Sequence, residues 1–483
     1  MASGKLYQVY TAFAVALGSF VMGSLNVWPS YTTSLFTAEN TTLLSTAMSD
    51  SEVSLLGSLP SLGAMIGTGV CGLIIDKIGR KIGGLAICLP YVLSWAIIEV
   101  SSSSMLILAA RFISGVGGGA FLAYAPIFIS EVAETSIRGA LASFPMVAYG
   151  LGLLCSYILG WFCSYHIIIW LNILMSVSVC LLLFLVKESP TYLVRQKRDE
   201  DARKSLAAYR GVSASSMIVT EELATLKAQL SPPTQLISIN EDSQTKTDEG
   251  ENEKLNLENG TVDEELPKMS PIKLLFTEPA SRRAFTVLGV IITMQVFMGI
   301  VPVQVYAKNV FKEADPANAD LFSVIFALVF ISGCSLTAGI ADLAGRKVLV
   351  IVSSVLVAIW LVVLGLQMQL KFAPEWVTVL IIMTYCFCFM FGAATVPYIL
   401  LTEIFCPEVQ NIASMIIIEW VWFINFVIIG VFPYFVKFFG MHGTFYMFAA
   451  VGILNATFSY FMVPETKGLS NMQIQDLLVR RKK

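Results

Sequence analysis

Twelve apolar stretches of about 20 residues or more run through this chain, at about 7–33, 53–75, 82–100, 105–129, 139–161 and 165–187, and after a polar middle at about 283–308, 320–341, 346–367, 376–402, 411–436 and 443–463. A helix needs about 20 apolar residues to cross the hydrocarbon of a bilayer. Inside that hydrocarbon only structures that satisfy their own backbone groups survive, so each stretch is expected to be a helix. Six stretches precede the middle and six follow it, which predicts an all-α membrane protein of two related halves. Only 13% of the 483 residues are charged against 56% hydrophobic. A soluble globule carries roughly 25% charge, so the bilayer is the main solvent of this chain.

A short charged turn supports the duplication. Asp76-Lys77-Ile78-Gly79-Arg80-Lys81 has a near copy in Asp342-Leu343-Ala344-Gly345-Arg346-Lys347, 266 residues later, and each joins two apolar stretches. Internal repeats of this kind are a signature of two-bundle transporters. The expected domains are therefore a six-helix bundle at 1–187, a cytoplasmic linker at 188–282, a second six-helix bundle at 283–463 and a tail at 464–483. Within the linker, 190–229 is patterned as short helices, and 232–270 reads as disordered. Residues 239–265 hold ten acids against two lysines, which argues against a nucleic-acid partner.

The basic residues give the sidedness. Lys77, Arg80, Lys81, Arg195 to Arg210, Arg282, Arg283, Arg346, Lys347 and Arg480 to Lys483 fall on one side, whereas 31–52 and 100–105 carry no Lys or Arg, and Lys308, Lys312 and Lys371 are the exceptions. The positive-inside bias then places both termini and the linker in the cytoplasm, with the plasma membrane as the default location. Asn40-Thr41-Thr42 falls in the first outer loop as a glycosylation acceptor. The nine cysteines lie mostly in apolar stretches and read as small hydrophobes. His166 and His442 have no Cys or carboxylate at ligand spacing, so no metal and no cofactor are expected. No hydrolytic triad or paired catalytic carboxylate points to an enzyme.

The motifs together resemble the sugar porters of the major facilitator superfamily, with the insect trehalose-transporter-like members the nearest in overall look. They are the two charged turns, Arg111-Phe-Ile-Ser-Gly-Val-Gly-Gly-Gly119, Glu131 with Arg138-Gly139, Glu188-Ser-Pro190 and Pro464-Glu-Thr-Lys-Gly468. The bland reading of the glycines after Arg111 is close helix packing. The resemblance implies twelve helices in two bundles, a central solute site and rocking between outward-open and inward-open states. It also implies gating roles. Arg80 and Arg346 would pair with Glu131 and Glu403 near Asp76 and Asp342, in a cytoplasmic latch. Arg138 would support Glu131, whereas Gln410 stands where a second arginine is expected. Tyr306 falls on the tyrosine that helps to close the outer gate.

At the solute site the chain departs from the family. The seventh-span pattern Gln-Gln-x-Ser-Gly-Ile-Asn is matched by Gln295-Val-Phe-Met-Gly-Ile-Val301, and the fifth-span glutamine falls on Met146. Gln295 and Asn425 remain as hydrogen-bonding amides and Trp422 as a stacking wall, with Gln304 and Tyr398 nearby. A sugar site needs such groups that donate and accept beside an apolar face. The eroded set points to a solute larger or less polar than glucose, to other compensating groups, or to binding with little transport. No acid lies between Leu6 and Ala38 to pair with Arg111, which favours a facilitator over proton coupling. Glu419 runs against that, because an acid inside a span is a functional suspect. The leading expectation is facilitative transport of a sugar, a disaccharide such as trehalose or a hexose. The alternatives are proton-linked transport of another organic solute and a weakly transporting solute sensor.

Overall fold

The computed structural model describes residues 2–230, 270–469 and 471–480, and no strand forms among them. Its long helices are Ala2–Phe36, Asp50–Ile78, Arg80–Val100, Ser104–Val132, Thr135–Phe162 and Tyr165–Leu185 in the first half. In the second half they are Pro279–Val305, Ala319–Ala344, Arg346–Leu370, Glu375–Glu403 and Pro407–Met462. The last, 56 residues long, is two spans joined at Gly440, whose φ of 71° and ψ of 169° break the helix. The total is twelve spans, as the apolar stretches require.

Within the first bundle the second span packs on the fourth, the first on the fifth and the third on the fourth. Small residues set the closest approach: a Cβ on Gly115 would lie 2.1 Å from the Pro60 carbonyl oxygen, and one on Gly119 would lie 2.1 Å from that of Ala64. The glycines after Arg111 are thus a packing seam, as in other helix pairs that pack in lipid. The two bundles meet where the second span lies against the eleventh and the fifth against the eighth. At the end remote from the termini they also share a core, in which Val27, Leu153 and Tyr157 sit with Val303, Val305 and Phe432.

After the sixth span come three helices, Pro190–Arg195, Asp199–Arg210 and Met217–Leu230. Leu193, Leu206, Val219 and Leu223 form their own small core. The patch is tied to the first bundle: Gln8 Nε2 donates to the Tyr209 carbonyl at 2.7 Å, and Arg210 Nη1 donates to that of Val132 at 2.9 Å. Of the stretch 232–270, only Ser270 is among the described residues. Its hydroxyl accepts from the Lys273 N–H and caps the helix Pro271–Thr277.

Candidate functional site

A cavity of about 790 Å³ lies between the bundles. All five residues expected at a solute site line it: Gln295, Gln304, Tyr398, Trp422 and Asn425. Local irregularities present them. The seventh span breaks at Gly299 (φ 88°), four residues after Gln295. The tenth span widens into a π turn over Phe389–Ala393. Just past that turn, the Ala394 carbonyl accepts from Gln295 Nε2 at 3.0 Å. One N–H of Gln295 is thereby used, and its Oε1 is buried with no partner. Asn425 Oδ1 is likewise buried and unpaired. Both side chains line the cavity, and each carries a buried acceptor without a partner, which is costly to leave so.

The sequence reading missed two cavity residues. Asn26 Nδ2 donates to the Tyr149 hydroxyl at 2.8 Å, and Gln304 Nε2 approaches the same oxygen at 3.4 Å. The signal available for Asn26 was an amide inside an apolar span. Tyr149 gave none, since a tyrosine in a span is usually packing.

At the end remote from the termini the bundles are closed on one another. Tyr306 stacks on Phe432 with ring centroids 5.6 Å apart, and its hydroxyl reaches the Val53 carbonyl at 3.4 Å. Tyr157 donates to the Gln304 carbonyl at 2.6 Å, Ser30 accepts from the Lys308 N–H at 2.8 Å, and Ser54 donates to the Gly430 carbonyl. Lys437 pairs with Asp50 at 2.5 Å on the surface. Tyr306 thus sits in a seal above the cavity.

At the other end stand the charged turns. Gly79 (φ 94°) and Gly345 (φ 89°) take a conformation that side chains rarely adopt, and a Cβ would also meet a carboxylate, 2.4 Å from Glu188 Oε2 and 2.8 Å from Glu465 Oε2. Glu188 accepts from the N–H groups of Arg80 at 2.7 Å and Lys81 at 3.1 Å, and Glu465 from those of Arg346 at 2.9 Å and Lys347 at 3.2 Å. These are carboxylates at helix N-termini, where orphan N–H groups and the dipole favour negative charge. Neither was singled out as a functional residue from sequence, although each follows the last span of its half. Burial pushes the Glu188 carboxyl above the usual carboxylate range, and the backbone donors and Arg80 pull it back.

Arg80 grips Glu131 through both oxygens, Nε at 2.9 Å and Nη2 at 2.8 Å, while Nη1 contacts Asp76 at 3.2 Å. Arg346 meets one oxygen of Glu403, at 3.2 Å and 2.8 Å, and the Thr466 hydroxyl donates to the other at 2.6 Å. The side chain of Asp342 lies outside the described residues. Two expectations need correction. Arg138 does not pair with Glu131; it donates to the Ala133 carbonyl at 3.3 and 3.1 Å. Gln410 does not face Glu403; its amide reaches the Thr402 carbonyl at 3.2 Å. Both bind a carbonyl at the end of a span, so Gln410 replaces Arg138 in kind, and no cation is missing from the second half. The Arg80–Glu131 and Arg346–Glu403 pairs also each lie inside one bundle, not across the gap between them.

Arg111 is fully buried, and among the described residues no carboxylate pairs with it. Its Nη1 donates to the Leu25 carbonyl at 2.7 Å and its Nε to that of Leu56 at 3.0 Å. Pro29 and Pro60 stand four residues beyond those carbonyls inside helices. A proline has no N–H to give, so it leaves its i−4 carbonyl without the helical donor. The guanidinium takes the place of both missing donors and stacks 5.5 Å from the Trp28 ring.

Glu419 is half-buried in the eleventh span, and its Oε1 has no partner. It faces the second span across the gap, where a Cβ on Gly69 would lie 3.3 Å from that oxygen. It is not on the cavity wall, though Ile418 and Trp422 beside it are. Asn40 is exposed in the loop after the first span.

The sequence profile of the Sugar (and other) transporter family matches residues 6–478. The chain belongs to that family. A facilitated trehalose transporter, Tret1, of Drosophila virilis is 27% identical over 481 residues, which are 98% of this chain and 49% of that one. Its counterpart in Polypedilum vanderplanki is 26% identical over 98% of this chain and 88% of its own. This chain thus spans about half the length of the Drosophila relative. In fold it is similar to the xylose transporter XylE of E. coli in its inward-open conformation, with a TM-score of 0.74 at 20% identity over 97% of this chain and 99% of that one. The chain is therefore an integral membrane protein of the twelve-helix sugar transporter fold.

Proposed function

We propose that this protein is a facilitative carrier of a sugar that works by alternating access. The observation that carries the reading is a closed-topped cavity between two bundles whose wall holds two buried, unpaired acceptors, Gln295 Oε1 and Asn425 Oδ1. A sugar hydroxyl that donates to such an oxygen relieves a desolvation cost of about 1–3 kcal/mol. Trp422 offers a ring face against which a sugar C–H face stacks, and Gln304, Tyr149 and Tyr398 complete the polar contacts. Outward opening requires the Tyr306–Val53 contact, the Ser54–Gly430 bond and the Asp50–Lys437 pair to part. The charged turns, with Asp76, Arg80 and Glu131 in one half and Asp342, Arg346 and Glu403 in the other, hold the spans of each bundle together as it rocks. In this reading the termini face the cytoplasm, Asn40 faces outward for glycosylation, and the protein works in the plasma membrane.

Arg111 supports passive transport, because its partners are carbonyls, which do not titrate. The test is counterflow in reconstituted vesicles. Preloading with unlabelled sugar should accelerate labelled uptake with no ion gradient, and an absence of acceleration would refute the carrier reading in favour of a sensor.

Glu419 favours a second reading, proton-linked transport. Its unpaired oxygen lies at the gap between bundles, and among the described residues no Lys, Arg or His pairs with it. If a proton moves there, an inward proton gradient should drive accumulation in the wild type and none in Glu419→Gln. Uptake indifferent to pH and to an uncoupler would eliminate it.

A further inference from the structure

The cavity has two chemically different walls. Among the described residues no charged side chain lines it, so it suits a neutral solute. The seventh and eleventh spans contribute the open acceptors Gln295 and Asn425. The fifth, eighth and tenth contribute Met146, Val147, Phe330, Ile331, Phe389 and Met390. Apart from those of Tyr149 and Tyr398, the hydroxyls interspersed on this second wall are turned to their own helices. Thr395 donates to the Met390 carbonyl at 3.1 Å, Ser335 to that of Ile331 at 2.9 Å and Ser143 to that of Ala140 at 2.7 Å. As donors these are spent, and away from the two tyrosines the wall behaves as hydrocarbon.

A free hexose or disaccharide carries hydroxyls all round. Seated with one edge on Gln295 and Asn425, it would press others against Met146, Phe330 and Met390, where each stranded hydroxyl lowers affinity by roughly tenfold. The volume, about 790 Å³, lies in the upper part of the ~300–1,000 Å³ range of small-molecule sites, with room for a ring beyond a single sugar. We infer that the preferred solute is a glycoside, a sugar that bears an apolar aryl or alkyl group, with the sugar hydroxyls on the seventh and eleventh spans and the apolar group on the fifth, eighth and tenth. This rests on the sugar-carrier reading and narrows its substrate class.

The test is calorimetric binding to the full-length purified protein of four probes: D-glucose, trehalose, phenyl β-D-glucopyranoside and phenol. Phenyl glucoside should bind at least about tenfold more tightly than glucose, trehalose or phenol, as expected for burying a ring on an apolar wall. In Met146→Gln, which puts an amide on that wall, the ratio of phenyl glucoside to glucose affinity should fall toward one. Equal or tighter binding of glucose or trehalose by the wild type would overturn the inference and leave the sugar reading standing. Binding of phenol as tight as phenyl glucoside would overturn it too, since the sugar moiety would then add nothing. If none of the sugars or glycosides binds, the sugar reading itself fails, and the inference falls with it.

Discussion

The charged turns and the central cavity are both polar regions in a hydrophobic molecule, and they handle their polar atoms in opposite ways. At the turns the described acids find donors: Glu131 is held by Arg80, Glu188 by the N–H groups of Arg80 and Lys81, and Glu403 by Arg346 and Thr466. In the cavity, Gln295 Oε1 and Asn425 Oδ1 are buried and open. A satisfied network fixes one geometry. An unpaired buried acceptor is a cost that a donor relieves. The difference separates residues that hold the structure from residues that serve a solute.

Four experiments press on that distinction. The largest effect belongs to Arg80→Ala, which leaves Glu131 without its partner at 11% side-chain exposure; stranding a buried charge costs about 3–5 kcal/mol. Arg346→Ala should cost less, because Glu403 is 27% exposed and keeps Thr466. Thermal unfolding of the two variants should rank them in that order, and equal losses would undo the asymmetry. Next comes Arg111→Leu. Leaving the carbonyls of Leu25 and Leu56 without donors should lower stability by about 2–3 kcal/mol, with a loss insensitive to pH because no acid is involved.

At the cavity the pattern should reverse. Gln295→Leu should weaken sugar binding about tenfold, close to 1.4 kcal/mol, with a smaller change in unfolding midpoint than either arginine variant. A stability loss equal to that of Arg80→Ala would make Gln295 a structural residue. The smallest effect is at Glu188. Its folded-state pKa is raised by burial, so its favourable contribution is present below the unfolded carboxyl value and is lost as pH rises through the folded one. Wild type should therefore lose ground against Glu188→Gln as pH rises through the carboxylate range, and a difference constant with pH would contradict the assignment.

Much of this was legible in the sequence because the bilayer leaves few choices. Long apolar stretches must be helices, and the repeated turn announced the duplication. The five residues expected at the solute site converge on one cavity, since a polar side chain in a span has few places to go. Arg138 was misread because the resemblance implied a carboxylate partner, whereas its guanidinium meets the Ala133 carbonyl five residues back. Glu188 and Glu465 escaped notice because their partners are backbone N–H groups, which no residue letter records. Tyr149 escaped because its role depends on Asn26 and Gln304, which lie 123 and 155 positions away.

The sequence by itself determined the solvent, the number of spans and the division into halves, because hydrophobic transfer is a property of each stretch alone. Only the tertiary structure decided which polar atoms are paired. The carbonyls of Leu25 and Leu56 are released by prolines in their own helices, yet the guanidinium that serves both comes from a third. The acceptors of Gln295 and Asn425 remain open because the neighbouring spans bring no donor to them. Pairing depends on distances between segments far apart in the chain, and those exist only once the bundles are packed.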